Sequence, residues 1–432
     1  MSLGPFTTHL ISFTKNGKLQ FWNDITKEII EADFSRPDIG STSGASVFRD
    51  GQLIELAENE PDWDDSDGCP VIKMRPQAIN IMEAGDNLAN ATYWNAPNYA
   101  VTAGSGFSGR NSVIITTDAA LNGLSPFSQA ANSLANELPT ISVANEKYCL
   151  QFKVRKGTAS KVSFLLLRLA ASGGQFTASG RFNFATETIE SGILAGALTS
   201  FKKVNDDYYI IQIGIPDNLS TNLSTIAFWL APNNNSNLCE TGLTVELGSV
   251  VLRVGVDGFP FEDYIPVTTT EVTRSANTFA FTDLVTKGCL GVNQGSIILE
   301  FDDQLFKNDS GVVDIFYMSD GSNLAKYARF RYLNGPILFQ MVGYTAAVTS
   351  FTIIDPTNFR KCVIIWDGLD VKFVYPNQTT LTATLDSNFD IRAIGKQGTI
   401  TPTTPTPYGI KSLAFTPIVL TEAQALAALN EL

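Results

Sequence analysis

The strongest constraint in this chain is a cadence. Short apolar runs, many of them alternating with polar residues, are cut off at regular intervals by Gly, Asn, Asp or Pro. Between residues 86 and 265 the runs are NSVIITT, YCLQFKVRK, KVSFLLLRLA, FNFAT, DYYIIQIGIP, TIAFWLAP and TVELGSVVLRVG. From residue 275 the style continues in SIILEFDD, VVDIFYMSD, KYARFRYL, ILFQMV, KCVIIWDGLDVKFVYP, TTLTATL and IKSLAFTP. Period-two alternation puts one face of a strand in a core, and evenly spaced turn residues let the next strand return antiparallel. A chain written this way folds as sandwiches or jelly rolls. VIIWDGLDVKFVYPN, with DG between two alternating strands, reads as a hairpin. The closing LTEAQALAALNEL reads as a helix. Thr421 can cap it, and Glu422 lies in the first turn, where the helix dipole favours an acid.

At 432 residues the chain exceeds one ordinary domain, and two or three are expected. The fold class read from the pattern is all-β: a small N-terminal β-rich region over 1–85, then antiparallel β-sandwich domains over 86–270 and 271–432, with a short C-terminal helix. In the first region ISF, KLQFW and SVFRDGQLIEL read as short strands, while ITKEIIEADF (25–34) fits a helical turn or a strand. TPTTPTPYG (401–409) is a Pro/Thr loop unable to enter a central strand. No aligned internal repeat relates the two sandwiches.

Composition narrows the function. Charged residues are 17%, below the usual quarter, beside 44% hydrophobic residues, as in a β-rich surface protein with polar turns. A net charge of −13 without a basic cluster disfavours binding to a nucleic-acid backbone. No apolar run reaches the about 18 residues that cross a bilayer, so no membrane insertion is expected. MSLGPFTTHLISF lacks the charged start and apolar core of a signal peptide. The five cysteines, Cys69, Cys149, Cys239, Cys289 and Cys362, form no C-x-x-C and read as buried reduced thiols.

Catalytic patterns are thin. His9 is the single histidine, and neither a G-x-S-x-G elbow nor a second zinc-ligating His accompanies it. PDWDDSDG gathers Asp62, Asp64, Asp65 and Asp67, a repulsion that calcium could relieve. With Gly68 at the sixth position of an EF-hand loop, however, Trp63 falls where the first Asp belongs and Met74 where the closing Glu belongs. The stretch reads as an exposed acidic turn. EFDD (300–303) and the pair Asp367 and Asp370 lie at strand ends, where charges solvate an edge. No catalytic residue, metal or cofactor is expected, and the chain reads as no enzyme. The Asn-x-Ser/Thr sequons at Asn218, Asn222 and Asn377 read as Asn-rich turns.

Three stretches carry a resemblance. The segment DFSRPDIGSTSGASVFRDGQLIELAENEPDWDDSDGCPVIKMRPQAINIM (33–82) resembles a module recurrent in tailed-phage tail-fibre and virion-surface proteins. In that module a short strand with an Arg and a Ser/Thr cluster leads to a G-x-L turn, an Asn-x-Pro, an acidic aromatic loop and a strand ending near Pro-Gln-x-x-Asn. FEDYIPVTTTEVTRSANTF (261–279) is similar to the family's linker, in which Tyr-Ile-Pro leads into Val-Thr-Arg-x-Ala. YGIKSLAFTPIVLTEAQALAALNEL (408–432) resembles the ending of its laminin-G/concanavalin-A-like lectin domain. KKVNDDYYIIQIGI resembles the Asn-Gly-Trp-Tyr-Arg-Val strand of carbohydrate-binding-like jelly rolls; Tyr208 and Tyr209 replace the aromatics and no Arg follows.

The resemblance implies a non-enzymatic structural protein on a tailed-phage virion: a fibre, spike or head-decoration protein, made in the bacterial cytoplasm, presenting lectin-like domains to host-surface glycans. It implies attachment to other virion proteins through the N-terminal region and a homotrimer or other multivalent array, since weak sites gain from avidity. The alternative is a purely architectural capsid or tail cement protein, and a third class is a secreted bacterial glycan-binding or glycan-cleaving protein. Aromatic rings are the candidate sugar platforms. Tyr93, Trp94 and Tyr99 share a polar loop, and Trp366 stands near a hairpin turn; for Trp94 and Trp366 a core role competes. Trp229, in a continuous apolar run, reads as core.

Overall fold

A computed structural model describes residues 8–10, 20–23, 26–31, 33–35, 46–49, 52–57, 59–61, 63–64, 71–75, 78–96, 99–118, 134–141, 148–170, 173–190, 198–215, 223–231, 240–254, 258–259, 261–262, 264–267, 272–274, 277–301, 312–319, 327–333, 338–342, 348–352, 360–376, 379–384, 393–396 and 408–431. The protein is all-β, with antiparallel sheets and a helix at Glu422–Glu431. It divides into two compact units. One comprises residues 1–43, 56–77 and 275–432, the other residues 44–55 and 78–274.

The division cuts across the boundaries read from the sequence. Residues 1–85 form no unit of their own; they are shared between both. Thr8–Leu10 pairs with Tyr408–Thr416, and Asp33–Ser35 pairs with Thr278–Phe281. Ser46–Arg49 and Gln52–Glu55 pair antiparallel, with Arg49 opposite Gln52, and belong to the other unit. The physical reason is core: strands of three or four residues bury too little to stand alone. The seam expected at 270/271 falls at 274/275. ITKEIIEADF resolves into strands Glu28–Glu31 and Asp33–Ser35.

The unit built on 78–274 is a sandwich of two six-stranded sheets. One runs in the order Tyr99–Ala103, Ser112–Thr117, Thr244–Val254, Tyr148–Lys156, Tyr208–Ile215, Leu198–Val204. The other runs Trp94–Asn95, Leu134–Ile141, Leu223–Ala231, Lys161–Ala170, Gly173–Asn183, Thr188–Glu190. Alternation sends Leu150, Phe152 and Val154 into the core. There Phe152 meets Phe164 and Phe228 of the opposite sheet edge-on, at 5.4 and 4.8 Å between centroids, a favoured aromatic geometry. Trp229 is core, as its run implied.

In the other unit a ten-stranded sheet centres on Gln294–Phe301, flanked by Tyr408–Thr416 and Lys361–Asp367. A seven-stranded sheet includes Thr278–Phe281, Ala393–Lys396 and Val312–Ser319. The expected DG hairpin is present: Asp367 faces Asp370, and Gly368 takes φ 62, as the first loop position of such a turn requires. The helix lays Ala425, Ala428 and Leu429 on Ile298, Val363 and Ile365. Thr421 caps it reciprocally: its Oγ1 accepts from Gln424 N at 3.3 Å, and Gln424 Oε1 accepts from Thr421 N at 2.9 Å.

Cys149, Cys289 and Cys362 are buried free thiols, as expected; Cys69 and Cys239 lie outside the described residues. So do Asp62, Asp65 and Asp67 of the acidic stretch, Asp302 and Asp303 of EFDD, and residues 401–407 of the Pro/Thr loop. Among the described residues no cluster of three metal-ligating side chains occurs, and no helix is long and apolar enough to cross a membrane.

Candidate functional site

Three of the four aromatic candidates are enclosed by the protein itself. Trp94 is 2% exposed, stacks on Phe228 at 6.1 Å, and donates from Nε1 to Ala84 O at 3.0 Å. Tyr99 is 5% exposed, and its hydroxyl accepts from Leu230 N at 3.3 Å. Trp366, 2% exposed, lies directly opposite Gly295, whose missing side chain leaves the room the indole occupies. None of these rings presents a face to a ligand. Burying a large apolar ring outweighs displaying it, and Trp94 and Tyr99 also satisfy their polar atoms inside. Tyr93 is half-buried against the same core and stands apart as the partly accessible member. His9 lies on the strand Thr8–Leu10, and Asp367 and Asp370 are exposed across their turn.

A different set of residues converges at one end of the first sheet of the sandwich unit. Two tight turns build it. Asn205 and Asp206 take φ 49 and 56, and Asp207 N closes on Val204 O at 3.0 Å, which presents the Asp207 carboxylate. Ser108 and Gly109 likewise take φ 50 and 79, while Phe107 and Arg110 exchange backbone hydrogen bonds at 3.0 Å. Between the turns stands Arg155, near the end of its strand. It donates from Nε and Nη2 to Asp207 at 2.8 and 2.7 Å, and from Nη1 to Glu246 Oε2 at 2.5 Å. Its Nη2 also reaches Gly106 O at 3.2 Å. Glu246 accepts from Ser105 Oγ, Gly106 N at 3.0 Å and Ser112 Oγ. Beneath the guanidinium, 4.9 Å from it, lies the Phe107 ring; Tyr208 lies at 6.0 Å, with its hydroxyl 2.8 Å from Ser108 Oγ.

The electrostatics follow from this wiring. The Arg155 bond holds Asp207 below the usual carboxylate range. Burial pushes Glu246 up, but the hydrogen bonds from Ser112, Arg155, Gly106 and Ser105 together outweigh it and lower it. Asp207, first, and Glu246 lift Arg155 above its ordinary value. Both carboxylates are therefore ionised at neutral pH, and neither is placed to donate a proton as a glycosidase acid must. The arrangement suits holding a fixed pattern of donors and acceptors. Asp207 is 53% exposed and Arg155 21%, so the pattern reaches solvent. Bidentate carboxylate–guanidinium pairing makes it rigid.

Nothing local in the sequence announced this cluster. Arg155 is 91 positions from Glu246 and 52 from Asp207. The one available signal was NDD before YY, a turn placing an acid beside a strand.

No family model matches the chain, and no curated protein matches it. Solved structures with some likeness include the CBM22 tandem domain at the N-terminus of a Paenibacillus barcinonensis protein, at 12% identity and a TM-score of 0.27, covering 79% of this chain and 98% of that one. The LG4-5 domains of the mouse laminin alpha1 chain align at 10% identity and a TM-score of 0.22, covering 66% and 85%. The LG1-3 region of the laminin alpha2 chain aligns at 10% and 0.21, covering 66% and 60%. Scores this low add no argument beyond the sheets described above.

Proposed function

We propose that this chain is a non-enzymatic surface protein of a tailed-phage particle whose β-sandwich unit offers the Arg155 cluster to host-surface glycans. The carrying observation is that cluster: a solvent-reaching, preorganised array of donors and acceptors, braced from beneath by the buried rings of Phe107 and Tyr208. Sugar hydroxyls are recognised by a few precisely placed polar groups. The phage setting, its virion-surface location and attachment to other virion proteins rest on the three sequence stretches and their order. A homotrimer or another array would supply the avidity that weak glycan sites need.

The full-length chain on a glycan array, beside the Asp207→Asn variant, tests the reading. Asp207→Asn keeps the shape but removes the acceptor charge, and retention is expected to fall about tenfold or more, as for a lost charged hydrogen bond. No retention by the wild type, with multivalency confirmed, would support the cement-protein reading instead. One observation favours that rival: the cluster's oxygens already have partners within the chain, as in a structural brace.

A further inference from the structure

The sheet that carries Arg155 has a second polar row, and this one is covered. Gln151 and Lys153, on the face away from the aromatic core, are each 3% exposed; Gln212, opposite Gln151, is 7% exposed, and Arg253 is 3% exposed. The cover is formed by residues 258–259, 261–262 and 264–267. Gln212 Nε2 donates to Phe259 O at 2.6 Å, and Gln151 Nε2 to Phe261 O at 2.9 Å. The Arg253 guanidinium sits 4.0 Å from the Phe259 ring, and the Lys153 ammonium 4.8 Å from the Tyr264 ring. Asp86 fastens the far end: its Oδ2 accepts from Val267 N at 3.0 Å, and its N donates to Val267 O at 2.8 Å.

Four polar atoms of the surrounding layer are buried without a hydrogen-bond partner: Asp86 Oδ1, Gln151 Oε1, Tyr264 OH and Ser249 Oγ. Ser249, at φ 51, occupies a bulge where the register slips between Gln151 and Lys153. Lys153 and Asp86 feel each other's charge, yet no direct ion pair joins these two described residues. Orphaned buried polar atoms beside separated opposite charges are what bound water resolves.

We propose that the stretch carrying Phe259, Phe261, Tyr264 and Val267 is a latch seated over a site for bound water joining Lys153 to Asp86, and that protonation of this pair sets how firmly the latch holds. Burial raises Asp86 to about 7, against the pull of Lys153 and the Val267 amide. Burial lowers Lys153 to about 8; Asp86 opposes the shift and Arg110 adds to it. Asp86, being raised, contributes hold that is complete below its ordinary value of 3.8 and lost as pH rises through about 7. Lys153, being depressed, contributes hold that is complete above 10.5 and lost as pH falls through about 8. The latch is weakest between these midpoints and tightens toward acid and toward base. The charges around the pair have partners of their own: Arg110 is ion-paired to Glu55 and 5.7 Å from Tyr264, Arg253 stacks on Phe259, and Arg155, Glu246 and Asp207 lock one another.

The test is hydrogen exchange of the Asp86 and Val267 amides in the full-length chain, corrected for intrinsic rate and referenced to the Leu150 amide in the core. Opening is expected to be on the order of tenfold or more rarer at pH 5 than at pH 7.5. Asp86→Asn should flatten the acid limb alone, and Lys153→Met the alkaline limb alone. Equal opening at both pH values in the wild type overturns the proposal. If the variants do not fold, the wild-type exchange profile decides alone: rarer opening on both the acid and the alkaline side of pH 7 to 8 upholds the latch, and a flat profile sinks it.

Discussion

Gly295 and Trp366 face each other across the ladder between Gln294–Phe301 and Lys361–Asp367, and the pair shows how a single position governs a ring. A Cβ at Gly295 would stand 2.9 Å from both Trp366 Cζ2 and Thr416 O, at φ 154. Gly295→Ala should therefore cost about 1–3 kcal/mol through displaced packing, read by urea unfolding followed at the tryptophans. Unchanged stability would mean the indole yields freely. This contact also explains why Trp366 was ambiguous in sequence: IIWDG states that the ring is near a turn, but the glycine that receives it lies 71 positions earlier in sequence number, 366 less 295. Trp94 was ambiguous for the same reason, since its partner Phe228 belongs to a distant strand. Rings beside polar residues suggest display; only the opposite surface decides whether they are displayed.

Strands and caps were more legible, because their causes are local. YCLQFKVRK alternates and forms Tyr148–Lys156, and WDGLD forms the hairpin whose turn residues it contains. Thr421 announced the start of the helix, and Gln424 completes its cap. Thr421→Ala should loosen the first turn by about 1 kcal/mol, visible as faster exchange of the Gln424 amide, with no change at Leu429. Equal acceleration at both positions would show that the cap supports the whole helix. The Arg155 cluster was illegible at this scale. Its members come from two turns and four strands, and the pairing that aligns Arg155 with Glu246 is set by the sheet, not by either segment.

At the scale of the whole molecule, chain order and spatial order part company. The path crosses between the two units at 43/44, 55/56, 77/78 and 274/275. A fragment beginning at residue 86, the natural cut from the sequence alone, would remove Asp33–Ser35 from Thr278–Phe281, and Val71–Met74 from Tyr408–Thr416. It would also strip Phe48 and Leu53 from Phe107, Tyr208 and Ile210. Such a fragment should melt well below the full chain and bind a hydrophobic dye; equal melting would mean those early strands are dispensable. The sequence could not reveal this, because segments of three or four residues carry no signature of a partner hundreds of positions away, as Ser35 is from Thr278 and Met74 from Tyr408.

The entry and exit of the long stretch 78–274 lie side by side, with Ala78–Asn80 paired to Val272–Arg274. A body attached through adjoining ends is an interchangeable cassette: it can be replaced, enlarged or lost while its host sheet keeps its register. Here the exchange carries one condition. The hairpin Ser46–Glu55 must travel with the cassette, because Phe48 and Leu53 complete its surface from a separate point of the chain. Diversification by recombination thus meets a dilemma: a junction at Ala78 leaves a new sandwich with an ill-fitting cover, and one upstream of Ser46 carries the host strand Val71–Met74 away with the cassette.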